Sequence, residues 1–391
     1  MQERVTINMD EWKIPLYKIY TDDEDLNLIT KIIKRGTKWA IGPEIEEFEN
    51  AIKNYLGVDY CLTLNSGTSA LHATFLAYGL GKGDSIIVPS FSFISTVNSV
   101  LFVNAKPVFA DIEEQTFGLD PQSIQKKITK KTRAVVPMDY GGMSCKIMEI
   151  KKIAKENNLI LIEDAAEALG SSINNKKNGS FADSTIFSFC GNKVLTTGEG
   201  GAIVTNSKKI YEKIKLLRSH GRLDKIAYFN NPLASNYTQL GYNWRMSTIT
   251  ASLGLSQLKK LEKIIKMRQD NASYISARLQ RYSDIKTPVI PKGYRHIFQM
   301  YTIRLPNKSL RNKLHKFLTK KRIFSKVYFT PIHLTEFYQE NFKTKVGMLP
   351  KTELVSEQIL TIPLYPNMNT EEKQYLVETI SEFFESKTSA A

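Results

Sequence analysis

Three short stretches of the sequence carry residue types that could take part in chemistry. Lys193 lies among small and apolar residues in a turn between two apolar runs, where desolvation would favour the neutral, nucleophilic form of its amine. Asp164 follows the apolar run 159–162, and a carboxylate buried there needs a partner. The stretch 65–69, Asn-Ser-Gly-Thr-Ser, could present backbone N–H groups and hydroxyls to an anion, ideally a phosphate.

Each stretch, taken singly, also has a simpler explanation. Asn65 or Ser66 could cap an ordinary helix, and Asp164 could cap a helix after its strand. A lone lysine in a loop, such as Lys193, is usually solvated. The spacing around Gly67 matches neither GxxxxGK[ST] nor GxGxxG, which disfavours a triphosphate or dinucleotide site. These alternatives stay open for the individual motifs.

The order of the three stretches is more informative than any one of them. An anion site, a carboxylate and a lysine follow one another, and Asp164 and Lys193 are 29 residues apart, about one crossover connection plus a strand. A lysine that can form a Schiff base, a carboxylate for a protonated ring nitrogen and a phosphate cradle are the parts of a pyridoxal phosphate site. The combination predicts pyridoxal 5'-phosphate as the cofactor.

Bringing these distant stretches together requires alternating strands and helices. Gly42-Pro43 is typical of a helix start, and Gly57 of its end. This alternation predicts an α/β fold with a mainly parallel sheet and helices on both faces, in which sites lie at the carboxyl ends of strands. The apolar runs that we interpret as buried strands are 60–64, 85–88, 107–110, 133–138, 159–162, 185–189 and 201–205.

The sequence pattern changes after about residue 256. Gln257 to Leu279 has the pattern of one long, basic, amphipathic helix, and shorter strands and helices follow it. We therefore predict two domains. Residues 1–259 would form an N-terminal segment plus the large cofactor-binding α/β domain, and residues 260–391 a smaller C-terminal α+β domain.

Charge and composition exclude several classes of function. The chain has 54 basic and 39 acidic residues, a net charge of +15, but no basic stripe with interleaved aromatic residues, so we expect no nucleic-acid partner. The apolar run 85–109 is interrupted by proline, asparagine and lysine, so we expect no membrane insertion. The three cysteines and five histidines lack disulfide-framework or metal-ligand spacing, which indicates a reducing cytoplasm and no metal.

An ordered set of motifs resembles the DegT/StrS family of nucleotide-sugar aminotransferases, which are fold-type-I pyridoxal phosphate enzymes. The resemblance extends over nearly the whole chain, from residues 14–17 to 362–366. Within it, Met138-Asp-Tyr-Gly-Gly142 departs from the His-Leu-Tyr-Gly-like run of many relatives, in a segment expected near the active site. The motifs that carry the resemblance lie at 42–49, 65–72, 88–93, 163–168, 187–193, 196–201, 241–246 and 331–333.

The resemblance implies roles in cofactor binding. Lys193 matches the Schiff-base lysine, and Asp164 the carboxylate on the pyridine nitrogen. Glu167 matches a position near the phenolic oxygen of the cofactor, and Phe93 an aromatic that stacks on its ring, although an ordinary core phenylalanine is the alternative. The residues that match the phosphate cradle are Gly67, Thr68 and Ser188.

The resemblance also implies partners. Asn243 matches a residue that reaches the phosphate of the neighbouring subunit, which implies a homodimer with shared active sites. His333 matches a segment near the sugar, with packing between domains as an equal alternative. The implied activity moves an amino group from L-glutamate to a nucleotide-linked 4-keto-6-deoxy sugar in surface-glycan biosynthesis. Alternatives are a C3 keto-sugar or keto-inositol aminotransferase and, more remotely, a non-enzymatic ligand-binding or regulatory protein.

Overall fold

The computed structural model describes residues 12–223 and 236–388. The helices in these ranges are α1 (Asp23–Arg35), α2 (Pro43–Leu56), α3 (Gly67–Ala77), α4 (Ile94–Phe102), α5 (Pro121–Lys127), α6 (Ile147–Glu156), α7 (Lys208–Leu217), α8 (Thr248–Lys259), α9 (Leu261–Leu279), α10 (Lys308–Lys320), α11 (Glu336–Phe342), α12 (Pro350–Gln358) and α13 (Thr370–Thr388). The strands are β1 (Tyr60–Leu64), β2 (Ser85–Pro89), β3 (Lys106–Ala110), β4 (Thr132–Val135), β5 (Ile160–Asp164), β6 (Ser172–Ile173), β7 (Lys176–Lys177), β8 (Ser184–Ser188), β9 (Gly201–Thr205), β10 (Tyr294–Arg295), β11 (Tyr301–Arg304) and β12 (Ile359–Ile362).

The central sheet has the strand order β1-β9-β8-β5-β4-β2-β3. Strands β3, β2, β4, β5 and β8 run parallel to one another, and β9 runs antiparallel to both β8 and β1. Parallel neighbours need crossover connections, and α4 and α6 occupy such connections. The predicted α/β fold with a mainly parallel sheet is confirmed.

The ends of α2 show why local patterns predict this part of the fold. Pro43 begins the helix, where its missing N–H costs no hydrogen bond. Gly57 ends it in the left-handed region at φ 71°, a conformation that residues with a Cβ adopt at a cost. Between them, Phe48, Ile52 and Leu56 form the buried stripe that packs the helix on the core.

Two predicted elements differ from the structure. The single helix predicted over 257–279 is wrong, because α8 ends at Lys259 and α9 begins at Leu261. At the break, the buried ammonium of Lys260 pairs with Asp22 and lies 3.0 Å from Asp25, at the start of α1. The apolar pattern continues through the break, so it did not reveal this tertiary ion pair.

The second difference concerns the strand predicted over 133–138. Strand β4 ends at Val135, and the chain then follows the end of β5 instead. Pro137 has no N–H to donate to a ladder, but its carbonyl accepts the N–H of Asp164 at 2.9 Å. The N–H of Asp139 in turn donates to the carbonyl of Asp164 at 3.0 Å. These bonds fix residues 137–139 beside Asp164.

Hydrophobic packing crosses the boundary predicted near residue 260. Ile14, from the N-terminal segment, packs in a cluster formed otherwise by residues after 271. Conversely, Ile332, Tyr338 and Leu349 pack in the cluster under the central sheet. The division into 1–259 and 260–391 therefore stays a prediction. Within residues 12–223 and 236–388, no helix combines the length and apolar composition needed to cross a membrane.

Candidate active site

Three of the predicted stretches, the anion motif, Asp164 and the lysine loop, meet at one edge of the central sheet. Strands β1, β8 and β5 end at this edge, and β9 begins there, with Gly201 paired to Leu64 on one side and to Ser188 on the other. Asp164 is the last residue of β5, beside β8. The topology therefore brings the anion motif, the carboxylate and the lysine loop together, as the sequence predicted.

The turn between β1 and α3 packs closely against β8 and β9. A Cβ on Gly67 would lie 3.1 Å from the Cβ of Ser188, and a Cβ on Gly201 would lie 2.6 Å from the carbonyl of Ser66. Ser66 caps α3, since its hydroxyl accepts the N–H of Ser69 at 3.0 Å. The first-turn N–H groups of Gly67 and Thr68 have no acceptor inside a helix, so they can donate to a phosphate.

Asp164 is buried, with only 3% of its surface exposed. Its carboxylate accepts the hydroxyl of Thr96 at 2.7 Å and the N–H of Ala166 at 3.2 Å. Burial raises the pKa of Asp164, while these donors and the charge of Lys193 act in the opposite direction. The next element in the described chain is strand β6, so the alternative that Asp164 caps a helix is wrong.

Lys193 is held inside the site rather than solvated. Its side chain is 13% exposed, and its Nζ lies 3.3 Å from Oε1 of Glu167. The other oxygen of Glu167 accepts the N–H of Gly141 at 3.0 Å. The solvated-lysine alternative is therefore wrong. The segment 138–142 does lie beside the lysine, where the resemblance implied it.

Phe93 lies just before α4, and 59% of its surface is exposed. The alternative of a core phenylalanine is therefore wrong, and the ring is free to contact a ligand. Asn243 is also exposed, and its carbonyl accepts a long 3.5 Å bond from the side chain of Asn65. This contact places Asn243 next to the β1–α3 turn of its own chain. Its contact with a neighbouring subunit stays a prediction.

His333 does not present its ring to a ligand. The residue is completely buried, its Nδ1 lies 2.6 Å from the hydroxyl of Ser90, and its Nε2 lies 3.1 Å from Glu353. Burial also lowers the pKa of His333. Because both ring nitrogens are engaged within the chain, we no longer assign His333 to the sugar. Its position corresponds to the packing alternative.

Comparison with known proteins identifies the family. The family model described as the DegT/DnrJ/EryC1/StrS aminotransferase family matches residues 20–381. The chain belongs to this family. Members of the DegT/DnrJ/EryC1/StrS family are pyridoxal-phosphate-dependent transaminases, so the predicted enzyme class and cofactor are confirmed.

Relatives of known activity are similar over most of the chain. GDP-perosamine synthase of Caulobacter vibrioides is 37% identical over 77% of this chain and 81% of its own length. A UDP-4-amino-4,6-dideoxy-N-acetyl-β-L-altrosamine transaminase of Campylobacter jejuni is 33% identical over 93% of this chain and 96% of its own. The structure of Helicobacter pylori PseC, an aminotransferase of pseudoaminic acid biosynthesis, superimposes with a TM-score of 0.89 at 30% identity, covering 95% of this chain and 99% of the other.

The residues at the sheet edge fit the cofactor of this family. The N–H groups of Gly67 and Thr68, which have no acceptor inside α3, can donate to a phosphate together with the nearby Ser188 hydroxyl. The buried carboxylate of Asp164 needs a cationic partner, and a protonated ring nitrogen would be one. Lys193 supplies an amine at the same edge.

Sequence reasoning missed two residues that contact the site residues. Thr96 donates to Asp164 from α4, 68 positions earlier in the chain. Gln299 bonds to the backbone on both sides of Lys193, more than 100 positions away. No spacing in the sequence points to either residue. The only available hint was a glutamine inside the apolar stretch 297–303, where an amide must find hydrogen-bond partners.

Proposed function

We propose that the protein transfers the amino group of L-glutamate to a nucleotide-linked 4-keto-6-deoxy sugar. The observation that carries the proposal is the convergence of Lys193, Glu167 and Asp164 at one sheet edge, beside the first-turn N–H groups of α3. The chain's membership of a sugar-aminotransferase family supports it. Relatives named for perosamine and for a 4-amino-4,6-dideoxy sugar indicate the class of acceptor.

Each residue of the site has its own role in the proposed reaction. When bound, pyridoxal phosphate supplies an electron-accepting ring that stabilises negative charge on the reacting carbon. Lys193 anchors the cofactor and, once released, carries a proton to or from the reacting carbon as general base and acid. Glu167 holds the Lys193 ammonium in place, and Asp164, oriented by Thr96, keeps a proton on the ring nitrogen.

We assign the reaction to C4 of the sugar rather than C3. The lysine loop has small residues, Gly191 and Asn192, directly before Lys193. A Cβ on Gly191 would meet only the carbonyl oxygen of Gly198, at 3.9 Å, so this side of the loop leaves room for a ligand. With the diphosphate end of the substrate held by basic groups, C4 is the carbon across the ring from C1 and the deepest in the site.

We also propose a homodimer in the cytoplasm, in which Asn243 of each subunit contributes to the phosphate site of the other. Asn243 is exposed, which leaves its side chain available to a partner subunit. The cysteines Cys61, Cys145 and Cys190 are free, as expected in a reducing compartment. The product would enter a surface glycan.

Matched acceptors test the proposal. Sugar nucleotides with a 4-keto-6-deoxy or a 3-keto-6-deoxy ring, on GDP, UDP and dTDP, are incubated with ¹⁵N-labelled L-glutamate. Product mass and NMR should show ¹⁵N at C4. Turnover of the 3-keto series alone would contradict the C4 assignment, although the protein would still be a sugar aminotransferase. Turnover of a keto-inositol alone would favour a keto-inositol aminotransferase.

A further inference from the structure

One side chain from the C-terminal part of the chain holds the backbone on both sides of Lys193. Oε1 of Gln299 accepts the N–H of Val194 at 2.8 Å, and Nε2 of Gln299 donates to the carbonyl of Asn192 at 2.7 Å. Gln299 is 5% exposed. We propose that Gln299 is a positioning residue that fixes the direction in which Lys193 leaves the backbone. The proposal rests on the role of Lys193 given above.

The chemistry of these two bonds requires a primary amide. Residues 192–194, in the loop between β8 and β9, lie outside the sheet ladder, so any N–H and carbonyl groups that they bury must be satisfied by other means. Val194 needs an acceptor and Asn192 needs a donor, and a glutamine side chain offers both in one plane. Leucine offers neither, and an ionised glutamate only accepts. Gln299 therefore holds the lysine loop by accepting one hydrogen bond and donating another.

The same segment also reaches the ammonium end of the lysine. The N–H of Met300 donates to the carbonyl of Gly141 at 3.0 Å, and the N–H of Gly141 donates to Glu167 at 3.0 Å. Glu167 in turn lies 3.3 Å from the Nζ of Lys193. Residues 299 and 300 thus hold Lys193 at both ends, the backbone directly and the ammonium through the Gly141–Glu167 contact.

Arg268 of α9 fixes the segment that carries Gln299. Its buried guanidinium donates to the carbonyls of Phe298 at 2.7 Å, Gln299 at 2.8 Å and Leu364 at 3.1 Å. A buried charge is costly unless it is hydrogen-bonded. Because the guanidinium of Arg268 needs these acceptors, it holds the carbonyls of residues 298 and 299 in place. The orientation of Lys193 is therefore set by α9, outside the central sheet.

Gln257 provides a matched control. It is 1% exposed and, like Gln299, makes two side-chain hydrogen bonds, to the carbonyl of Tyr20 and to Asp25, each at 3.0 Å. It lies on α8 and bonds to the N-terminal segment and α1 rather than to the lysine loop. A substitution of Gln257 by leucine removes the same number of bonds from an equally buried glutamine, so it reports the purely structural effect.

The experiment measures separately how fast Lys193 captures the cofactor aldehyde and how tightly the phosphate cradle binds the cofactor. Apoprotein is prepared for the wild type and for Gln299→Leu, Gln299→Glu, Gln257→Leu and Lys193→Ala. Added pyridoxal phosphate is captured when the lysine amine condenses with its aldehyde, which forms a C=N bond and releases one water. Absorbance follows the capture rate, and borohydride reduction with peptide mass identifies the lysine. Pyridoxamine 5'-phosphate, which has no aldehyde, measures affinity for the cradle alone, and thermal unfolding checks the fold.

We expect Gln299→Leu to slow capture at least tenfold while pyridoxamine phosphate affinity stays within twofold of wild type. Gln257→Leu should change neither quantity. Gln299→Glu should slow capture at neutral pH and recover relative to wild type in acid, where a protonated carboxyl can again donate to Asn192. If Gln299→Leu does not fold, this glutamate variant decides the question.

Two results would overturn the proposal. The first is wild-type capture in Gln299→Leu or, where that variant does not fold, in Gln299→Glu at neutral pH. The second is equal slowing in Gln299→Leu and Gln257→Leu, which would mean a structural role only. Failure of the underlying function is distinguishable, because capture by Lys193→Ala at the wild-type rate would show that another lysine is the anchor.

Discussion

The ammonium of Lys193 lies 3.3 Å from one oxygen of Glu167, and the other oxygen of Glu167 accepts the N–H of Gly141. One carboxylate therefore joins the lysine to the turn at 140–142. Because both partners are largely shielded from water, the contact is stronger than an exposed ion pair of the same length. Glu167 thus orients the group to which we assign the chemistry.

Replacing Glu167 tests this orientation. Glu167→Ala leaves the Gly141 N–H without its acceptor and the lysine without its partner, so we expect turnover to fall by about tenfold or more. Glu167→Gln keeps a side-chain carbonyl for Gly141 and should recover part of the loss. Steady-state amination of the sugar measures both. Glu262→Ala, which removes a carboxylate paired with Arg295, should leave turnover unchanged.

The carboxylate of Asp164 gives a second prediction. Asp164→Asn keeps the shape of the side chain but no longer holds a proton on the ring nitrogen, so turnover should fall by about 100-fold or more. Affinity for pyridoxamine phosphate should remain, since the cradle is untouched. Asp183→Asn is the control, because Asp183 binds the N–H of Leu161 on the same strand, β5. Near-normal kinetics of Asp164→Asn would show that the ring-nitrogen partner is another residue.

Subunit mixing tests the shared site. If Asn243 acts on the neighbouring subunit, inactive Lys193→Ala and inactive Asn243→Ala chains should form heterodimers with one intact site. Random exchange would then restore about a quarter of wild-type activity per chain, since half of the dimers are mixed and each has one intact site of two. Mixing Lys193→Ala with Asp164→Asn should restore nothing, because these residues serve the same site. A fully active monomer would contradict the proposal.

The burial of His296 leads to a prediction about how the free energy of unfolding depends on pH. Its buried ring accepts the N–H of Phe298 at 2.8 Å, and burial lowers the pKa of His296 to about 3, with the charge of Arg268 adding to the effect. The unfolded chain binds a proton near pH 6.5 and the folded chain does not. Stability should therefore fall as the pH drops from 6.5 towards 3, by up to about 1.4 kcal/mol per pH unit from this group.

The variant His296→Asn removes this titration. An asparagine oxygen can still accept the N–H two residues on, so the bond to Phe298 can be kept. Denaturant unfolding at pH 4 to 7 should show a shallower loss of stability than in the wild type. His220→Asn, at an exposed position with φ 61° that asparagine tolerates, should change the slope less than His296→Asn, because the pKa of His220 is lowered without the full burial that acts on His296. Equal slopes in all three proteins would contradict the prediction.

The sequence alone predicted the elements whose patterns are local. Helix α2 ends at Gly57 because the left-handed conformation there is a property of one residue. The apolar runs became strands at nearly the predicted positions, and the order of the cradle, Asp164 and Lys193 predicted the cofactor. These features depend on residue type and short-range spacing, which the sequence contains in full.

Tertiary packing decided which side chains touch. Whether Glu167 met Lys193, whether His333 faced a ligand or the interior, and which residue held the lysine loop could not be predicted from spacing. Gln299 lies more than 100 positions from the backbone groups it binds, and Lys260, at the break between α8 and α9, pairs with the distant carboxylates of Asp22 and Asp25. Such contacts arise when whole elements pack, so the sequence determined which groups are present and the fold determined which of them act together.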